Sequence, residues 1–181
     1  YFQSAFQLPP DIADFNFTGR AAEIKQILQF YLEQTKVKKF RSGDYRQLNH
    51  SVIELCAADG RRGLGTSALG IHLAHRLGDH FPDAHLYVNF SHGDNDQAWS
   101  PRDILWHWLN LLTEKEYIHQ IPRGWYERSL ELQEFLKREN ILIVLDNVSD
   151  ETQVESFLSS EYSPTDQYSH HCLILIISQR P

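Results

Sequence analysis

Two short segments constrain this chain more than any others: Ile141-Leu142-Ile143-Val144-Leu145-Asp146 and Cys172-Leu173-Ile174-Leu175-Ile176-Ile177-Ser178. Each is almost unbroken Ile, Leu and Val, without the alternation expected of a strand that has one wet face. Runs of this kind read as strands buried on both sides, and they require helices above and below a parallel sheet. Ser51 to Ala57 and Ala84 to Phe90 supply two further predicted strands.

The segments between them carry helical periodicity. Ala22 to Leu32 places Ile24, Ile27, Leu28, Tyr31 and Leu32 on one face. Ser67 to Phe81 is a second predicted helix. A third opens at Ser100-Pro101-Arg102-Asp103, with a serine cap, proline in the first turn and an acid near the amino end. Its body holds Ile104, Leu105, Trp108, Leu109 and Leu112, and Trp106 and Trp108 are both expected in the core. Trp125 to Arg138 and Asp150 to Leu158 are the fourth and fifth. Strands alternating with helices give an α/β fold whose binding crevice lies at the carboxyl ends of the strands.

With 181 residues the chain suits one domain, able to bury roughly 70% of its unfolded surface without a disulfide or metal staple. Tyr1-Phe2-Gln3-Ser4 reads as the remnant of a cleavable expression tag, leaving residues 5–181 as the domain. The chain stops at Arg180-Pro181 directly after an apolar run, so the natural protein is expected to continue. The net charge of −7 argues against generic nucleic-acid binding. No apolar stretch approaches the roughly 18 residues of a membrane helix. With no signal-peptide pattern and only Cys56 and Cys172 as cysteines, the expectation is a cytoplasmic protein with free thiols. Gln34 to His50, with Lys36, Lys38, Lys39, Arg41 and Arg46, reads as a basic surface loop.

Between the first strand and the second helix lies Gly60-Arg61-Arg62-Gly63-Leu64-Gly65-Thr66-Ser67. A loop that cradles nucleotide phosphates reads G-x-x-x-x-G-K-[ST] at this position. Gly60 and Gly65 have the required spacing and Ser67 holds the hydroxyl position, but Thr66 stands where the lysine belongs. Glycines let backbone amides approach phosphate, the helix amino terminus adds favourable dipole, and a serine hydroxyl ligates Mg²⁺. Taken alone, the stretch reads slightly better as a tight strand-to-helix turn that needs positive φ angles. Asp146, ending an apolar strand, supplies the companion carboxylate that such sites need for Mg²⁺. Asn147 follows, where hydrolytic relatives place a second acid. Arg61 and Arg62 either replace the missing lysine charge or are solvated, and Arg180 either reaches a γ-phosphate or is solvated. Ten histidines, including His72, His75, His170 and His171, lack zinc-ligand spacing with cysteines or carboxylates and read as surface or helix-packing residues.

Taken in order, these motifs resemble the nucleotide-binding core of STAND-class signalling NTPases, the NB-ARC (AP-ATPase) family. Leu8-Pro9-Pro10-Asp11-Ile12-Ala13-Asp14 with Phe17-Thr18-Gly19-Arg20 is similar to the segment before that family's first strand. Phe81-Pro82-Asp83 and Leu86-Tyr87-Val88-Asn89 resemble its second strand region. Leu145-Asp146-Asn147 and Ile177-Ser178-Gln179-Arg180 resemble its metal-binding and sensor strands, although the latter ends in threonine-serine-arginine in the family. The resemblance implies a P-loop NTPase three-layer sandwich, with the Cys172–Ser178 strand between the Ser51 and Ile141 strands. It also implies an ADP/ATP switch with Mg²⁺, in which Gly60 to Ser67 cradle phosphates, Asp146 coordinates the metal, and Arg20 and Arg180 flank the nucleotide. Partners would be the helical and winged-helix subdomains of the same protein, and further copies of itself. The Lys-to-Thr departure implies weak binding and very slow hydrolysis at most. A pseudo-NTPase scaffold that has lost nucleotide is the competing reading, and an active phosphotransferase is the third.

Overall fold

In the computed structural model, residues 5–11, 20–36, 50–56, 65–91, 99–158 and 172–178 are described. Four strands form one parallel sheet: β1 (His50–Cys56), β2 (Ala84–Asn89), β3 (Ile141–Val148) and β4 (Cys172–Ser178), in the order β1-β4-β3-β2. The two apolar runs are the central strands. Every residue of β4 is buried, and so is every residue of β3 except Asn147. β4 separates β1 from β3, as the family resemblance implies.

Helices cover both faces. α1 (Ala21–Lys36) and α2 (Thr66–Leu77) pack Ile24, Tyr31, Leu69, Leu73 and Leu77 against Ile53, Leu142, Val144, Leu173 and Leu175. On the other face, α3 (Pro101–Leu112), α4 (Trp125–Arg138) and the short α5 (Thr152–Glu155) belong to a cluster with Leu86, Ile143, Leu145 and Ile174. The result is a three-layer α/β sandwich of the P-loop type. Ser100 caps α3 as expected, accepting from the Asp103 amide at 3.3 Å with Pro101 in the first turn.

Several expectations shift. α1 continues four residues past Leu32, because Glu33, Gln34, Thr35 and Lys36 include no helix breaker, so the basic segment begins later than expected. α2 stops at Leu77 and tightens into a 3₁₀ turn over Gly78–His80. α5 ends early, where the Phe157 amide bonds to the Val154 carbonyl three residues back. β3 runs past Asp146 to Val148, with a register irregularity opposite β4 between Leu145 and Val148. Trp106 is a correction, being exposed while Trp108 is fully buried. Position 106 falls off the 104, 105, 108, 109 and 112 stripe, and the Arg128 guanidinium lies over its ring at 4.7 Å.

The leading segment also adds to the sheet. The Gln7 amide donates to the His85 carbonyl at 2.8 Å and the His85 amide to the Ala5 carbonyl at 2.9 Å, so Phe6 forms a parallel bridge along the free side of β2.

α2 crosses β4 unusually closely at Gly70, where a Cβ would lie 2.2 Å from Ile177 Cδ1. Gly70→Ala therefore forces Ile177 or the helix to move, and urea denaturation should record a loss of about 1 to 3 kcal/mol. Cys56 is exposed and Cys172 buried, both as free thiols. Cys56 pairs with Ser178, six positions along β4 from Cys172, or about 20 Å at ~3.3 Å per residue. Burial also pushes the Cys172 thiol well above its ordinary ionisation range. A thiol reagent at neutral pH should label Cys56 in the folded protein and Cys172 only after denaturation, as peptide mass mapping will show.

Candidate functional site

The site forms where β2 and β3 end and α2 begins. Gly65 precedes α2 with φ 74° and ψ 24°, a left-handed conformation that an L side chain adopts only at a cost. Among the described residues, no atom beyond its chain neighbours lies within 4 Å of where its Cβ would be, so what these surroundings ask of glycine is conformational rather than spatial. This turn starts the helix with Thr66 and points Ser67 towards β3. The Ser67 hydroxyl donates to Asp146 Oδ1 at 2.7 Å, joining two residues 79 positions apart.

Asp146 is 1% exposed, and a buried carboxylate is tolerated only when its oxygens are well supplied with donors. Among the described residues, four groups serve it. Oδ1 accepts from Ser67 Oγ and from the Asn147 amide at 2.9 Å. Oδ2 accepts from the Tyr87 hydroxyl at 2.9 Å and from Asn89 Nδ2 at 3.5 Å. Burial first, then the negative charge and hydrogen bond of Asp146, raise the Tyr87 phenol far above its usual range. The phenol is thus a donor at any physiological pH.

The irregularity in β3 centres on Asn147, whose φ of 59° is the one positive value at a non-glycine residue among those described. Asparagine tolerates this region better than most residues. Its side chain turns to donate to Asn89 Oδ1 at 3.0 Å, and the same oxygen accepts from the amide and hydroxyl of Ser91, each at 2.9 Å. The position where the family resemblance led one to look for a second acid holds an amide that ties the ends of β2 and β3 together.

Among the expected site residues, Ser67 and Asp146 meet directly, and Thr66 is half-buried at the first position of α2. Arg20 sits just before α1, with its guanidinium 3.7 Å from Glu23. Gly60, Arg61, Arg62, Gly63, Leu64 and Arg180 lie outside the described residues. Tyr87 and Asn89 are site residues that motif spacing missed. Their signal was their place at the carboxyl end of a strand beside the one ending in Asp146, and strand adjacency is not written in spacing.

Ser67 and Asp146 fit a magnesium ion. That hard cation takes oxygen ligands and is commonly held by one or two protein groups, substrate phosphates and waters. Among the described residues no group of three or more His, Cys, Asp or Glu could hold a metal without such a ligand. The helix-packing reading of two histidines has direct contacts behind it. His72 is buried, with Nδ1 at 3.1 Å from Asp11 Oδ1 and Nε2 accepting from Arg76 Nε at 3.5 Å. His75 Nε2 donates to the Pro9 carbonyl at 2.7 Å. Together they fasten the leading segment to α2. His170 and His171 lie outside the described residues.

Fold and site thus define a P-loop-type α/β sandwich with a hydroxyl–carboxylate pair at the carboxyl ends of its strands. No protein-family model matches the chain. It is similar to the regulatory protein AfsR of Streptomyces coelicolor, 31% identical over 152 residues, which are 84% of this chain and 14% of that protein. The AfsR of Streptomyces griseus is 30% identical over the same shares. The chain spans about one seventh of the length of these curated relatives. Among the described residues, no helix is long and apolar enough to cross a membrane.

Removing the carboxylate orphans several buried donors at once. Asp146→Ala should cost about 3 kcal/mol of stability in chemical denaturation, whereas Asp146→Asn, which keeps one acceptor oxygen, should cost less.

Proposed function

We propose that this chain is the nucleotide-binding module of a regulatory protein, an ADP/ATP-responsive switch of the NB-ARC (STAND) type. The observation that carries the reading is the Ser67–Asp146 hydrogen bond, which sets a magnesium-ligating hydroxyl beside a buried carboxylate at the start of α2. The strand order with β4 between β1 and β3, the left-handed Gly65 before α2, and the likeness to AfsR regulators support the same reading.

In this reading the backbone of Gly60 to Ser67 and the amino end of α2 hold the phosphates, and Ser67 and Asp146 hold Mg²⁺ directly or through water. Arg20 and Arg180 flank the nucleotide. When bound, Mg²⁺ offsets phosphate charge. Thr66 is neutral and too short to reach the terminal phosphates, so binding is weak. Asn147 bonds to Asn89 and offers no base to activate water, so hydrolysis is very slow. Bound nucleotide would act through its influence on the rest of a longer cytoplasmic protein, its helical subdomains and further copies of itself.

A second reading, a scaffold that no longer binds nucleotide, has its own support. Thr66 removes the phosphate charge partner, and four donors satisfy Asp146 without any metal.

Calorimetric titration with Mg-ADP separates the two. Binding no tighter than tens of micromolar is expected, since losing a charged hydrogen bond removes roughly one to two decades of affinity. Thr66→Lys should restore about 1.5 to 3 kcal/mol. Absence of heat from both proteins would favour the scaffold.

A further inference from the structure

No motif assigns a role to Tyr87, which lies on β2 two residues before that strand ends. Its hydroxyl donates to Asp146 Oδ2, on the opposite side of the carboxylate from Ser67 and the Asn147 amide. Among the described residues the other donor to Oδ2, Asn89 Nδ2, stands at 3.5 Å, the limit of a hydrogen bond. Tyr87 therefore carries that side of the carboxylate.

The torsion that turns a carboxylate about its last bond is soft and roughly two-fold, so the donors around it decide its orientation. With Oδ2 held, Oδ1 faces Ser67. A serine hydroxyl has one proton and two lone pairs. Once the proton is committed to Oδ1, both lone pairs are left to accept a cation.

We propose that Tyr87 is a positioning residue for the divalent cation of a bound nucleoside diphosphate, holding Asp146 so that Ser67 presents its lone pairs to the metal. This inference rests on the nucleotide-binding reading above. Without the phenol, Oδ2 keeps only its long contact to Asn89 among the described residues, so the carboxylate is held firmly at Oδ1 alone, can tilt about that anchor, and fixes the direction of the Ser67 proton less closely. Tyr87 touches neither phosphate nor cation in this arrangement. It acts through Asp146 and Ser67, so its effect should be confined to metal-dependent binding.

The test compares ADP affinity in Mg²⁺ with ADP affinity in EDTA, by calorimetry, for the wild type and Tyr87→Phe. Tyr87→Phe should weaken Mg-ADP binding about tenfold and leave ADP binding in EDTA unchanged, the scale expected from one charged hydrogen bond. Because Tyr87 and Ser67 act in series, Ser67→Ala/Tyr87→Phe should bind Mg-ADP no worse than Ser67→Ala alone. Equal weakening in both buffers, or additivity in the double variant, overturns the proposal. A measurement on the wild type needs no variant to fold: Tyr87 ring resonances in NMR should shift on adding Mg-ADP and not on adding ADP with EDTA. Indifference to the metal overturns it as well. If the wild type binds ADP in neither buffer, the nucleotide reading falls and this inference with it. If it binds with a Mg²⁺ enhancement that Tyr87→Phe leaves intact, or with no enhancement at all, only the inference falls.

Discussion

The pairing of β3 with β4 is the constraint on which the other elements depend. Both strands are flanked by neighbours in the sheet and buried on both faces, so their backbone groups are satisfied by the ladder and their side chains by helices. Neither face can be left to water, because Leu142, Val144, Leu173 and Leu175 point one way while Ile143, Leu145 and Ile174 point the other. Two helical layers follow from this alternation. α2 sits so close to β4 that Gly70 has no room for a side chain, and that closeness also brings the start of α2 near the end of β3.

The polar site is placed where this apolar arrangement stops. At Asp146 the strand would carry a charge into the core, and the structure answers with four donors from three elements. The next residue, Asn147, leaves ordinary strand geometry, and its amide side chain closes a second set of bonds through Asn89 to Ser91. The Phe90 amide also bonds to the Asp146 carbonyl at 2.9 Å. The ends of β2 and β3 are thus cross-linked by side chains as well as backbone. A network this fully satisfied holds a unique geometry, because a loose member would leave a buried polar group without a partner.

Much of this was legible in the residues. Uninterrupted Ile, Leu and Val marked β3 and β4, and serine followed by proline marked the start of α3. The spacing from Gly60 to Ser67 pointed to the hydroxyl that meets Asp146. The position of β4 between β1 and β3 came from family likeness rather than periodicity. Element ends were least legible, since α1, α2, α5 and β3 all stop where local hydrogen bonding and packing decide. The bridge of Phe6 to β2 carried no strand-like run at all, and Trp106 showed that helical spacing separates core from surface only when the stripe is drawn residue by residue.

The sequence by itself determined the class of fold, because side-chain pattern along a segment is a local property and solvent sorts it in the same way wherever the segment lies. It also determined that a hydroxyl and a carboxylate would stand at the ends of an apolar framework. Only the tertiary structure decided which polar groups converge on Asp146. Tyr87, Asn89 and Ser67 are 59, 57 and 79 residues away along the chain, and their meeting depends on strand order, register and the close approach of α2 to β4. Those are set by packing across the whole core, so the donors of the carboxylate could be read only from the folded molecule.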